Sequence, residues 1–356
     1  MTSSADHPAR SSAAAAAHSA AARAAEKSAA AKEPAPGPAE AGPDSPTKLS
    51  RRSWIDVFKR TVKEFNNDNL SDWAAALTYY GVLSVFPGIL VLLSVSGMLL
   101  TGTTQDAVLK NAQALFPASI AGPVTGAVDE LKKGSHSAGL FALVGLLGAL
   151  WTASGYVGAF MRAANAIYDV PEGRPIWKVL PIRLGITVAV GTLIAIAALS
   201  VVFTGRFAEQ AGGWVGLSKQ AVEVFDIAKW PLLLVVVMLI LAILYWASPN
   251  ARQHGFRWIT PGGALAVFIW LVASGGFAVY VSNFSSYNKT YGTLGGIIAF
   301  LVWLWISNIA ILLGAEFDAE LERGRAIEAG QSPTAEPYVP LRDDRNVKKD
   351  HDIGLG

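Results

Sequence analysis

The sequence predicts an all-α fold: a polytopic membrane helix bundle with six transmembrane helices, an N-terminal amphipathic interfacial helix and short helices in the outer loops. Three observations lead there. Only 16% of the 356 residues are charged and 52% are hydrophobic, whereas a soluble domain carries about 25% charged residues to solvate its surface. Charge-free intervals recur along the chain, each long enough to supply the roughly 20 apolar residues that cross a hydrocarbon core. Basic residues also collect at alternate span ends, the bias that orients membrane proteins. The chain has no cysteine, so disulfides, thiolate nucleophiles and zinc–thiolate sites are excluded.

Residues 1–47 are rich in Ala and Pro and have no large apolar residue after Met1. They bury too little surface to offset ordering entropy, so a disordered cytoplasmic tail is expected, without a signal-peptide core. Residues 48–67 differ. Trp54, Phe58, Val62 and Phe65 recur at helical spacing, with Arg51, Arg52, Lys59, Arg60 and Lys63 around them. That pattern suits an amphipathic helix on an anionic membrane face, with Arg51, Arg52, Lys59 and Arg60 meeting lipid headgroups. It equally suits a helix packed on the protein's own loops. Asp68, Asn69, Ser71 and Asp72 then supply N-cap chemistry for a new helix.

The membrane domain is expected over 68–329, with spans near 73–100, 139–160, 184–204, 231–247, 261–282 and 292–315. With the amino terminus inside, the cytoplasmic segments flanking the spans hold fourteen Lys and Arg residues and the outer loops seven. Both termini are therefore expected in the cytoplasm. The outer loops, 101–138 and 205–229, carry apolar residues such as Leu115, Phe116, Trp214 and Phe225 at spacings suited to short amphipathic helices. Residues 330–356 return to polar, Pro-containing sequence and read as a second disordered tail.

Three features stand out from generic membrane helix. Pro87-Gly88 falls inside the first span, after Tyr79, Tyr80 and Ser84. Proline there removes a backbone donor and favours a kink, which marks binding sites in some transporters but is also common in membrane helices. The two cytoplasmic loops, Tyr168 to Pro181 and Tyr245 to Pro261, share Tyr, Pro, Pro-x-x-Arg, Trp and a Pro at the next helix. Convergent interfacial anchoring and an internal repeat of parallel hairpins both account for this. Last, Gly314-Ala-Glu316-Phe-Asp318-Ala-Glu320-Leu-Glu322 puts acids where a helix ending there would be destabilised by its own dipole. Either the helix runs on towards Gly330 or the acids find partners, with Arg162, Arg183 or Arg257 in reach of Glu316. An unpaired acid at that depth would point to ion or proton coupling.

Gly292 with Gly296, and Ser154 with Gly158, are small-residue pairs suited to close helix crossing, within the chain or in a homo-oligomer. Asn308 is expected to hydrogen-bond a neighbouring helix.

The stretch Asp68-Asn-Leu-Ser-Asp72-Trp to Tyr79-Tyr80 and Phe86-Pro87 resembles the first span of the YihY/BrkB family. Gly155-Tyr156 to Arg162-Ala-Ala-Asn165, Tyr245 to Pro249-Asn250, Pro261-Gly262, and Tyr291-Gly292 to Leu313-Gly314-Ala-Glu316 resemble its other hallmarks. The likeness covers about residues 54–323. It implies a multi-pass protein of the bacterial inner membrane; some members are linked with serum resistance, and many carry an inherited ribonuclease BN label. The residues argue against that label. Metal-dependent nucleases cluster His, Asp and Glu ligands, whereas the histidines here are His7, His18, His136, His254 and His351, spread over predicted tails and opposite membrane sides. No enzyme, cofactor or nucleic-acid partner is expected. The function expected is transport or permeation of a lipid, amphiphile or small solute, with a non-transporting envelope scaffold as the alternative.

Overall fold

A computed structural model describes residues 49–99, 136–202, 219–253, 259–283 and 288–347. The described residues form seven long helices: α1 (Arg51–Asn67), α2 (Leu70–Leu99), α3 (His136–Ile167), α4 (Ile176–Val202), α5 (Lys219–Ala247), α6 (Pro261–Asn283) and α7 (Asn288–Glu328). Beside the helices, the backbone pairing described is a lone antiparallel bridge between Ala251 and Leu341. The expected all-α class is observed. The segments 100–135 and 203–218, where short outer-loop helices are expected, lie outside the described residues, as does the tail up to residue 48.

Four segments are long and apolar enough to cross a bilayer: Ile176–Val201, Ile227–Ala247, Pro261–Val281 and Gly295–Glu328. α2 and α3, of 30 and 32 residues, also exceed the roughly 20 residues a span needs. From α2 onward each helix packs on the next, and α7 closes the ring by packing on α2 and reaching α3. α1 lies against α7 and α2. Many apolar residues face outward, among them Trp151, Val188, Trp230 and Phe268, as expected where lipid replaces water as solvent.

Local chemistry sets the helix ends. Ser50 caps α1, its hydroxyl accepting from the Ser53 amide at 3.1 Å. Asn69, at φ 53°, terminates α1, and its carbonyl accepts from the amides of Asp72 and Trp73 to begin α2. Asn tolerates the left-handed region better than most residues. This two-residue corner, Asp68-Asn69, holds Asp68 at the junction of the two helices. Asp169, at φ 51°, ends α3 in a Schellman motif, its amide bonded to the Ala166 carbonyl and that of Val170 to Asn165. α7 ends the same way at Gly330, φ 95°, with Gly330 bonded to Ile327 and Gln331 to Ala326. The final helix thus runs past the apolar stretch, as one branch of the sequence reading anticipates. The helix α2 is unbroken across Pro87; the geometry of any kink there lies outside the described side chains. Pro181 does not open α4, which begins at Ile176, but sits in its second turn.

The α1 side of the bundle gathers the α3–α4 and α5–α6 loops and the segment after α7. This segment corrects the expectation of disorder from residue 330. Residues 331–347 fold across the two loops, with Tyr338 and Val339 buried at 5% and 6% exposure. The Arg252 amide donates to the Pro340 carbonyl and the Arg342 amide to that of Asn250, both at 2.8 Å. Composition misses this because the strap is held by backbone partners on a distant loop, not by its own apolar content.

Candidate functional site

Three sets of polar side chains stand out, one at the α1 end of the bundle, one inside it and one flanking α3. At the α1 end, Glu316 and Glu320 lie four residues apart on one face of α7 and turn towards α1. Glu320 takes the Arg60 guanidinium in an ion pair and also contacts Arg323 at 3.5 Å. Glu316, 1% exposed, lies within hydrogen-bonding reach of the Asp68 carboxyl, and among the described residues its Oε2 has no hydrogen-bond partner. A bond between two carboxyl groups requires a proton on one of them. The surrounding charges are Glu64, Asp169, Glu320 and Glu336 against Arg60 and Arg323. Burial pushes the Asp68 carboxyl up to about 6, and the charge of Asp169 adds to the rise. Asp169 is raised to about 6 by burial and Glu336, with Arg323 opposing. Arg323 serves Asp169, Glu320 and Glu336 at 3.3–3.7 Å and lies over the Tyr338 ring, 5.2 Å from its centroid.

Beside this acid group, Asn165 and Asn250 lock the two loops. The Asn250 amide donates to Asn165 Oδ1 at 2.7 Å, and its side chain donates to the carbonyls of Pro171 and Asp343. Arg174 grips Glu172 through Nε and Nη2, both at 2.7 Å, and reaches the Ser248 carbonyl at 2.9 Å. Burial alone would raise Glu172; the Arg174 hydrogen bonds overcome it and hold the carboxyl below its usual range. Pro249 is fully buried between them.

About 12 Å further along α7 from Glu316, Asn308 is 1% exposed. Its Nδ2 donates to Thr78 Oγ1 at 3.0 Å, and its Oδ1 accepts from the Tyr156 hydroxyl at 2.9 Å. One amide thereby ties α7 to α2 and α3. The third polar feature flanks α3. Arg183 of α4 donates from Nε to the Ser154 carbonyl and from Nη2 to Ser154 Oγ at 2.9 Å. Tyr80 of α2 lies against Gly155, where a Cβ would come within 2.8 Å of its ring.

The sequence-selected residues therefore divide. Asp68 and Glu316 meet; Asn165, Pro249 and Asn250 meet; Asn308 bridges helices as expected. Asp72 is exposed in the first turn of α2, where its charge suits the helix dipole. Tyr79 points outward at 61% exposure, edge-on to Tyr80. Arg162 is exposed and does not reach Glu316, whose charged neighbours of known placement are carboxylates; Arg257 lies outside the described residues, as do the side chains of Pro87, Tyr291 and Gly292. The Ser154–Gly158 pair is filled within the chain by Arg183. Sequence reading passes over Asp169, Arg323 and Tyr338, whose signal exists only once the strap folds back.

The sequence model of the virulence factor BrkB family matches residues 61–338, through the ring and into the strap. The putative ribonuclease-like protein YfkH of Bacillus subtilis is 31% identical over 265 residues, covering 74% of this chain and 93% of its own. The chain belongs to the BrkB family. Further members include UPF0761 membrane proteins of Chromohalobacter salexigens, 31% identical over 79% of this chain and 68% of the relative, and of Alteromonas mediterranea, 27% identical over 80% and 93%. No solved structure matches. As a BrkB-family chain with several long apolar helices, this is a membrane protein. The word ribonuclease in the Bacillus relative's name finds no metal-ligand group here: among the described residues, no cluster of three or more His, Asp or Glu side chains could hold an ion.

Proposed function

We propose that this BrkB-family protein is a non-enzymatic permeation protein of the bacterial inner membrane, moving a lipid, another amphiphile or a small solute along the α2–α3–α7 side of its ring. The observation that carries the reading is the presence of two polar groups on that side of the bundle. They are the Asp68–Glu316 carboxyl pair and the buried Asn308–Thr78–Tyr156 bridge. Ionisable and amide groups inside an apolar bundle are expensive, and those retained mark substrate or proton pathways by default. In this reading α2 to α7 are the six spans, and the excess of Lys and Arg puts the α1 end, both tails and the strap in the cytoplasm.

α1 then lies at the inner leaflet. Its outward face shows Ile55, Phe58 and Val62 at 50–59% exposure, flanked by exposed Arg52 and Lys59, which supports contact with anionic headgroups. Arg60 is not available for that contact because Glu320 holds it. The same face favours the scaffold alternative, in which α1 and the outer loops recruit partners.

Purified protein in liposomes decides between them. Assays of fluorescent phospholipid exchange, proton flux and small-solute flux should find at least one permeant, with its rate lowered about tenfold or more by Asn308→Leu at unchanged folding. A wild-type chain that moves nothing in any assay overturns the permeation reading.

A further inference from the structure

Five arginines among the described residues are paired to carboxylates: Arg60 to Glu320, Arg174 to Glu172, Arg323 to three acids, Arg325 to Glu322 and Arg345 to Asp343. Arg162 and Arg183 are not among them. Arg162 stands about 7 Å before the end of α3 and Arg183 about 10 Å after the start of α4, so the hairpin brings them to similar depth. The charged or phenolic groups that act on Arg183 are Arg162, which repels it, and Tyr80. No acid among the described residues pairs with either arginine.

The notch around them is built. Ser154 fixes the Arg183 guanidinium through two hydrogen bonds, which leaves the Nη1 N–H groups for a ligand. Gly158 makes room for it: a Cβ there would lie 3.0 Å from Arg183 Cζ and Nε. Gly155, three residues earlier, makes room for the Tyr80 ring. Arg162 follows Gly158 by one helical turn on the same face and is exposed. Beside the notch, Leu180, one turn before Arg183, is exposed, and Trp177, Leu184 and Val188 continue an apolar flank along α4. Two cations held together without an acid, next to a surface fit for acyl chains, define the ligand chemistry.

We propose that Arg162 and Arg183, with Tyr80 and the Ser154–Gly158 notch of α3, bind a phosphate-type oxyanion. A guanidinium pair matches that geometry, since each fork donates parallel N–H groups to a tetrahedral anion. The inference rests on the permeation reading only in suggesting an anionic amphiphile as the permeant; the binding site stands without transport.

The test uses full-length protein in phosphatidylcholine nanodiscs, titrated with short-chain phosphatidylglycerol and, separately, with inorganic phosphate, with binding read by native mass spectrometry and intrinsic fluorescence. Wild type should bind the anionic lipid saturably. Arg162→Gln, a change at an exposed position, should weaken it about tenfold with the melting temperature unchanged. Arg345→Gln, at an exposed cation that Asp343 already neutralises, should leave binding within twofold. Arg183→Lys should keep the charge and still weaken binding, because the fork that Ser154 orients is lost. Competition by millimolar phosphate identifies the free anion as a ligand of the same site; lipid binding that phosphate does not displace identifies the headgroup. Equal binding by wild type, Arg162→Gln and Arg183→Lys overturns the proposal, as does equal retention of added phosphatidylcholine. Binding that follows the arginines in a protein that transports nothing keeps the site and removes the permeation reading instead.

Discussion

At the scale of single residues, the two carboxyls of Asp68 and Glu316 are the most consequential contact in the chain. Asp68 and Asp169 both have folded-state values near 6 against an ordinary value of 3.8. Their protonation favours the folded state, so this stability is full below about pH 4 and is lost as pH rises through about 6. Glu172 and Asp343 act with opposite sign, since Arg174 holds the first down and Arg345 and Lys178 the second. Their contribution is present above the ordinary carboxylate range and is lost only as pH falls below it. Between pH 5 and 7 the raised pair therefore sets the trend. The detergent-solubilised protein should melt at a higher temperature at pH 5 than at pH 7.5, and Asp68→Asn should flatten that slope. A slope unchanged in the variant would show that the pair does not carry the dependence. The sequence makes Glu316 conspicuous as an acid at the end of an apolar stretch, yet of the partners it offers Arg162 and Arg183 turn elsewhere, and Arg257 lies outside the described residues. Spacing says which residues share a face of α7, but not that this face turns to α1 while Arg183 is drawn into the α3 notch.

At the scale of elements, the crossing of α6 and α7 is the tightest fixture of the ring. A Cβ on Gly262 would fall 2.0 Å from the Gly314 carbonyl oxygen, and one on Gly314 2.5 Å from that of Gly262 and 2.6 Å from the Tyr245 hydroxyl. That hydroxyl donates to the Ile311 carbonyl at 2.6 Å, and the Gly262 amide donates to Asp318 Oδ1 at 2.7 Å. Because backbone meets backbone, no rotamer change relieves an added methyl. Gly314→Ala should cost at least about 2 kcal/mol, read as a lower melting temperature, whereas Gly296→Ala, with nothing within 4 Å, should be near neutral. Equal melting of the two variants would mean the crossing relaxes. Among the described residues each apolar run forms a helix, and the N-cap chemistry read around Asp68 to Asp72 falls at the α1–α2 corner. The strap was not legible: its anchors are Asn250, Ala251 and Arg252, some ninety residues away in the chain.

At the scale of the whole molecule, ring closure explains why hydropathy locates the long helices so directly. From α2 to α7 each helix packs on its neighbour in sequence, so local pattern and global contact largely agree; the long-range contacts are those of α7 with α1, α2 and α3, where the acid group and the polar bridge sit. The proposed topology has a direct check, because a chain without cysteine accepts single reporters. Ser50→Cys and Ser332→Cys should react with an impermeant maleimide only after the inner membrane is opened, and Asp129→Cys should react in intact spheroplasts. Labelling of Ser50→Cys from outside would invert the orientation.

α7 is also a lever. Its 41 residues make a rod about 60 Å long, roughly twice the hydrocarbon thickness. The glycine crossing at Gly314 is a natural fulcrum, bare of side chain on both helices. From there to Glu328 the arm measures about 20 Å, so a tilt of about 10° would swing its end by nearly 4 Å. Asn308 rides about 9 Å to one side of that pivot. Arg323, with the strap it holds through Glu336 and Tyr338, rides about 13 Å to the other. A proton gained or lost beside the fulcrum, at Glu316, would act where a small torque moves both ends.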